Sequence, residues 1–150
     1  METVKEILKV NDLSKKFRVK HNGMPWQKKK HVQVLNGIDF TIKKGEALGL
    51  VGESGCGKST TAKIIMDIYS PTAGTITYHD KELTGLKGEE KKRIRLDIQY
   101  VFQDPMGALN PKIPVLQQIY EPLIIHYGRK NKRDYYKKAV SLLESVGMKE

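Results

Sequence analysis

The chain has 150 residues, 39% hydrophobic and 29% charged, with a formal net charge of +10 and a single cysteine, Cys56. That length holds one ordinary domain or part of a larger one, and the composition is soluble and globular, which excludes disordered and fibrous classes. No apolar run approaches the roughly 18 residues of a membrane span, and one cysteine cannot close an internal disulfide.

The opening METVKEILKV carries Glu2 and Glu6 and lacks the apolar centre and small-residue cleavage site of a secretory signal, so a cytoplasmic location is expected. Residues 7–19 then alternate loosely, with Leu8, Val10 and Leu13 leading into Phe17 and Val19, as in a half-buried strand and turn. KHNGMPWQKKKH, residues 20–31, interrupts the pattern with Gly, Pro and a basic run, and reads as an exposed loop. In VQVLNGIDFTIKKGEALGLVG, Ile38, Phe40 and Ile42 alternate with polar residues, which predicts a strand buried on one face. KKGE turns the chain, and the continuously apolar residues 47–51 predict a second, fully buried strand.

GESGCGKST follows. Gly52 to Ser59 fits G-x-x-x-x-G-K-[ST] residue for residue, between an expected buried strand and a helix start. Residues lacking a Cβ tolerate the dihedral angles that turn successive backbone N–H groups inward as an anion nest. A helix starting near Lys58 adds its positive end, Lys58 brings a mobile charge for the β and γ phosphates, and the Ser59 hydroxyl is placed for Mg²⁺. The candidate binding set is Gly52, Glu53, Ser54, Gly55, Cys56, Gly57, Lys58, Ser59 and Thr60. Cys56 is read as a small residue of the loop without a redox role.

Beyond the loop, Ala62, Ile65, Met66 and Ile68 have helical spacing across residues 60–68, stopped by SPTAG; residues 75–78 are β-rich. LKGEEKKRIRL predicts a charged surface helix, and residues 98–102 a compact apolar strand. PVLQQIYEPLIIHY and RDYYKKAVSLLESVG are helical in pattern, the second stopped by Gly147. Basic clusters at residues 28–31, 91–95 and 129–133 favour anionic partners in principle. They carry little aromatic interleaving and no reader motif, so nucleic acid is not expected as a partner and the clusters are read as solvated faces.

YVFQDPMGALNP, residues 100–111, places Gln103 where an amide could reach Mg²⁺ or a water near the γ phosphate. GESGCGKST together with VFQDPMGALNP resembles the ATP-binding subunits of ABC transporters, in particular the oligopeptide, dipeptide and nickel importer group. ILKVNDLSKKF, the insertion, and PLIIH before an amphipathic helix follow that group in order, so the resemblance covers essentially the whole chain.

The resemblance implies an α/β fold, a P-loop NTPase of the ABC ATPase type, with an N-terminal antiparallel β subdomain and the start of a helical subdomain. Residues 1–102 would hold the first part and 103–150 the second. Residues 52–60 become the Walker A loop binding ATP and Mg²⁺, with Ser59 and Gln103 as metal ligands and Gln103 in the Q-loop. Phe17 falls where the family carries an adenine-stacking aromatic; a core phenylalanine is the alternative reading and Trp26 a rival for the role. Ala108 replaces a common serine. Implied partners are a second ABC ATPase subunit, in a homo- or heterodimer, and transmembrane permease subunits, with a peripheral location at the cytoplasmic face of the cell membrane.

The family's Asp-Glu strand end, LSGGQ-like signature and switch histidine have no counterpart in these residues: LTGLKG precedes the Q-loop, Asp97 has charged neighbours, and His21, His31, His79 and His126 follow no acidic strand end. No catalytic residue is assigned. The chain is expected to be an N-terminal portion that binds ATP without turning it over, marginally stable and prone to associate. A non-catalytic nucleotide-binding interaction module is the alternative function; a P-loop kinase offers no role for FQDPMGALNP.

Overall fold

Leu8 and Val10 point the same way along β1 (Glu6–Val19), as period-two alternation requires, yet the next buried residue is Leu13. A bulge reconciles them. In this computed structural model, which describes residues 5–19 and 30–148, the pairing register shifts between Val10 and Leu13, and Asp12 takes a positive φ of 46°. One inserted residue reverses the phase and keeps Leu13 inside. Gly74 makes room for the bulge: a Cβ there would lie 2.3 Å from the Asp12 carbonyl oxygen. The Asp12 N–H donates to Asp39 Oδ1 at 2.8 Å and the Gly37 N–H to Ser14 Oγ at 2.9 Å, which ties the bulge to the neighbouring strand.

That neighbour is β2 (Lys30–Lys43), antiparallel to β1. On its other side β1 pairs antiparallel with β3 (Ala73–Tyr78), which pairs with the short β4 (Lys81–Glu82), so the sheet order is β2-β1-β3-β4. Between β2 and β3 the chain forms α1 (Lys58–Ile65). Leu8, Val10, Leu13, Leu35, Ile64, Ile76 and Leu83 form the buried core, so α1 contributes Ile64 to the sheet's inner face.

After β4 comes α2 (Gly88–Asp97), with Glu89 and Glu90 in its first turn and Arg95 in its last, the arrangement a helix dipole favours. Lys91 pairs with Asp67 beyond the end of α1, and Arg95 Nη2 lies 3.8 Å from the same carboxylate. Asp97 ends this helix and no strand, as its charged neighbours imply.

The chain divides into two compact units, Met1–Gln99 and Tyr100–Glu150. The second holds α3 (Pro105–Ala108), α4 (Val115–Tyr127) and α5 (Lys132–Ser145). α4 and α5 pack on each other, with Tyr120 and Tyr136 ring centroids 6.3 Å apart and Ala139 fully buried. Gly147 ends α5 as its position suggests: at φ 80° its N–H bonds the Glu144 carbonyl while the Met148 N–H reaches Leu143 O, a Schellman cap. Gln118 ties the loop before α4, accepting from the Asn110 N–H at 2.8 Å and donating to Ile113 O at 2.7 Å.

Two expected strands do not form. Residues 47–51 run unpaired, with Val51 95% exposed, and residues 98–102 are irregular, with Val101 92% exposed. Apolar composition gives a strand its preference for burial, but the strand exists only where a neighbouring backbone supplies a ladder. Among the described residues no strand pairs with either segment. Ile98 instead caps α2, its N–H donating to Ile94 O at 3.0 Å.

Candidate functional site

The loop between β2 and α1 is set up from both ends. At its entry, the Lys43 N–H donates to Glu46 Oε2 at 2.8 Å and closes the KKGE turn. At its exit, Gly57 is the N-cap of α1 at φ 104°, and a Cβ there would lie 2.5 Å from Leu35 Cδ2 and 3.0 Å from the Val34 carbonyl oxygen. The helix start is therefore seated directly on β2, a fit only glycine permits. Gly55 adopts φ 86°, and a Cβ on Gly52 would come 2.8 Å from Cys56 Sγ. The three glycines hold the loop in a shape that side chains would block.

The site's donors sit inside that shape. No side chain caps α1, and no acidic residue stands in its first turn, so the leading N–H groups of the helix are available to an anion. The Lys58 ammonium folds back over the loop and donates to the Gly52 and Glu53 carbonyls at 2.8 Å each, 3.5 Å from Cys56 Sγ. The Cys56 N–H closes a turn to Glu53 O at 3.3 Å. Glu53, Ser54 and Ser59 are exposed and Thr60 half-buried. This donor set, on a loop whose glycines adopt positive φ, fits a polyphosphate. The exposed Ser59 hydroxyl at the helix start suits a hard cation beside it.

Thr61 went unnoticed in the sequence. It is buried, and both its N–H, at 2.9 Å, and its hydroxyl, at 3.2 Å, bond the Gly57 carbonyl, locking the cap. The second threonine of KSTT carried the signal, since a hydroxyl four residues after a helix cap can bond back to it.

Phe17 lies on β1, half-buried, outside the central core cluster. Its ring meets Tyr69 edge to face, with centroids 5.2 Å apart, and Lys15 Nζ lies 4.9 Å from its centroid. Trp26 and His21 lie outside the described residues. Gln103 belongs to the second unit, exposed, two residues ahead of α3. His31 and His79 are exposed and His126 half-buried, and the described residues contain no cluster able to hold a metal ion through His, Cys, Asp and Glu. No described helix is long and apolar enough to cross a membrane.

Residues 35–150 match the family described as ABC transporter, which takes in the loop, its supporting residue Leu35, part of the first unit and all of the second. The chain belongs to the ABC transporter family. Among its relatives, this family member is 35% identical to the oligopeptide transport ATP-binding protein OppF of Salmonella typhimurium over 99% of its own length and 45% of the relative's. It is 38% identical to the dipeptide transport ATP-binding protein DppF of Escherichia coli, over 95% of this chain and 42% of that protein. The nickel import ATP-binding protein NikE of Shigella dysenteriae is 37% identical, with 95% and 52% covered. The dimeric, post-hydrolysis ATP-binding cassette MJ0796 bound to ADP and Pi superposes with a TM-score of 0.74 at 27% identity, over 96% of this chain and 59% of that one. The chain thus spans under half of the first two of these relatives. The resemblance to the peptide and nickel importer group holds along essentially the whole chain, and the fold is that of an ABC ATPase cassette, with an antiparallel sheet and packed helices.

Proposed function

We propose that this chain is the nucleotide-binding part of the ATP-binding subunit of an ABC importer for oligopeptides, dipeptides or related solutes. The observation that carries the reading is the loop of residues 52–60, where three positive-φ glycines, an uncapped helix start and a lysine folded back over the loop converge. The N–H groups of residues 58–60 and the Lys58 ammonium bind the β and γ phosphates of ATP. Ser59 Oγ would hold Mg²⁺, which when bound neutralises phosphate charge. Phe17 stacks on adenine through its aromatic ring.

In this reading residues 103–150 open the helical subdomain through which the subunit docks on permease subunits, at the cytoplasmic membrane face. The subunit pairs with a second ABC ATPase, identical or different. The relatives' names, which specify oligopeptide, dipeptide and nickel transport, and the dimeric cassette bound to ADP and Pi support these assignments. The chain itself binds ATP and does not hydrolyse it, because the sequence holds no Asp-Glu strand end to polarise a water. Pull-down of a peptide-permease pair tests the importer assignment. Retention of the pair supports it; nucleotide binding with no permease retained would favour an interaction module instead. Sustained phosphate release by the purified chain would contradict the non-hydrolytic reading.

A further inference from the structure

The turn from α4 to α5 concentrates charge of one sign. In residues 129–138, RKNKRDYYKK, six cations (Arg129, Lys130, Lys132, Arg133, Lys137 and Lys138) stand against one carboxylate, Asp134. All six are exposed, and none joins an ion pair among the described residues. The basic helix α2 behaves differently: Lys91 and Arg95 meet Asp67, and Lys92 meets Glu89. Three of its four cations are answered within the fold, whereas none of the six in residues 129–138 is.

Immediately before the turn, Ile125 is 71% and Tyr127 62% exposed, and Gly128, at φ 84°, ends α4 right after Tyr127. Four residues separate the two helices. The end of the hairpin therefore carries, within a short stretch of sequence, an exposed aliphatic and an exposed aromatic side chain and a run of unpaired cations. Charge alone would be satisfied by water and salt. The pairing with exposed apolar groups is what an anionic membrane interface accommodates, with cations over headgroup phosphates and aromatic and aliphatic groups in the layer beneath.

We propose that this hairpin end, residues 125–138, docks on a surface of acidic phospholipid. A nucleic acid would meet the cations too, but its phosphates give the aliphatic Ile125 nothing to bury against. The inference deepens the peripheral membrane placement proposed above. It does not use the nucleotide loop, so either reading can fail alone.

The test is co-sedimentation of the full chain, without nucleotide, with vesicles of phosphatidylcholine alone or mixed about 3:1 with phosphatidylglycerol. Binding is expected to the mixed vesicles only, weakening as salt rises. Replacing Arg129, Lys130, Lys132 and Arg133 by Ser lowers the partition coefficient by roughly fivefold per cation removed. Ile125→Ser with Tyr127→Ser removes the part of the binding that resists salt. Each variant's helical content by circular dichroism confirms that it folds, and a shortened DNA duplex serves as a competing polyanion. Equal binding to neutral vesicles, unaltered binding by the folded cation variant, or tighter binding to the duplex with no effect of the apolar pair would overturn the proposal.

Discussion

Gly57 carries two constraints at once, a left-handed backbone and contact with Leu35 and Val34, so any side chain there must strain the loop and push the helix off the strand. Gly57→Ala is expected to destabilise the first unit by about 2–4 kcal/mol, read by urea denaturation, and to abolish nucleotide binding. Leu13 depends on the bulge before it and is fully buried. Leu13→Ala should cost about 2–5 kcal/mol in the same measurement. The glycine loop was legible because each of its residue types answers a local demand of backbone or charge. Thr61 was not, because its role depends on the carbonyl of Gly57 becoming a helix cap, which only the formed turn displays. Phe17 shows a similar limit: the sequence left adenine contact and packing open, and Tyr69, far along the chain, is what it meets.

At the scale of elements, local signals served well wherever the chain supplied both partners. Alternation in β1 and β2, the acidic start of α2, and the glycine stop of α5 all follow from neighbours within a turn or one hairpin pairing. Residues 47–51 and 98–102 were misread for the opposite reason, since their apolar runs report a need for cover and not whether a ladder is there to satisfy it. The phase change at Asp12 was equally hidden, because a bulge is visible only against the partner strand. α4 contains Pro122 in its interior, which removes the N–H that would bond the Gln118 carbonyl and crowds the preceding turn. Pro122→Ala should stabilise the second unit by about 1–3 kcal/mol in chemical denaturation, with the α4–α5 contact retained.

For the whole molecule, the exposed apolar segments matter more than any single contact. Leu48, Leu50 and Val51 in one unit, and Val101 and Phe102 in the other, present unpaired backbone with hydrophobic side chains, the condition under which chains add to one another edge to edge. Light scattering should show mass rising with concentration, and thermal unfolding should be broad; a sharp, cooperative melt of a monomer would speak against this. The chain spans under half the length of OppF and DppF, whose function we assign to it as a proposal.

The central claim is that residues 52–60 form a triphosphate cradle gripped by Lys58. Isothermal titration of the folded chain with MgATP, beside Lys58→Ala, tests it most directly: saturable binding by the parent and its loss in the variant are expected. Equal binding by both, or none by a parent shown to be folded, would contradict it.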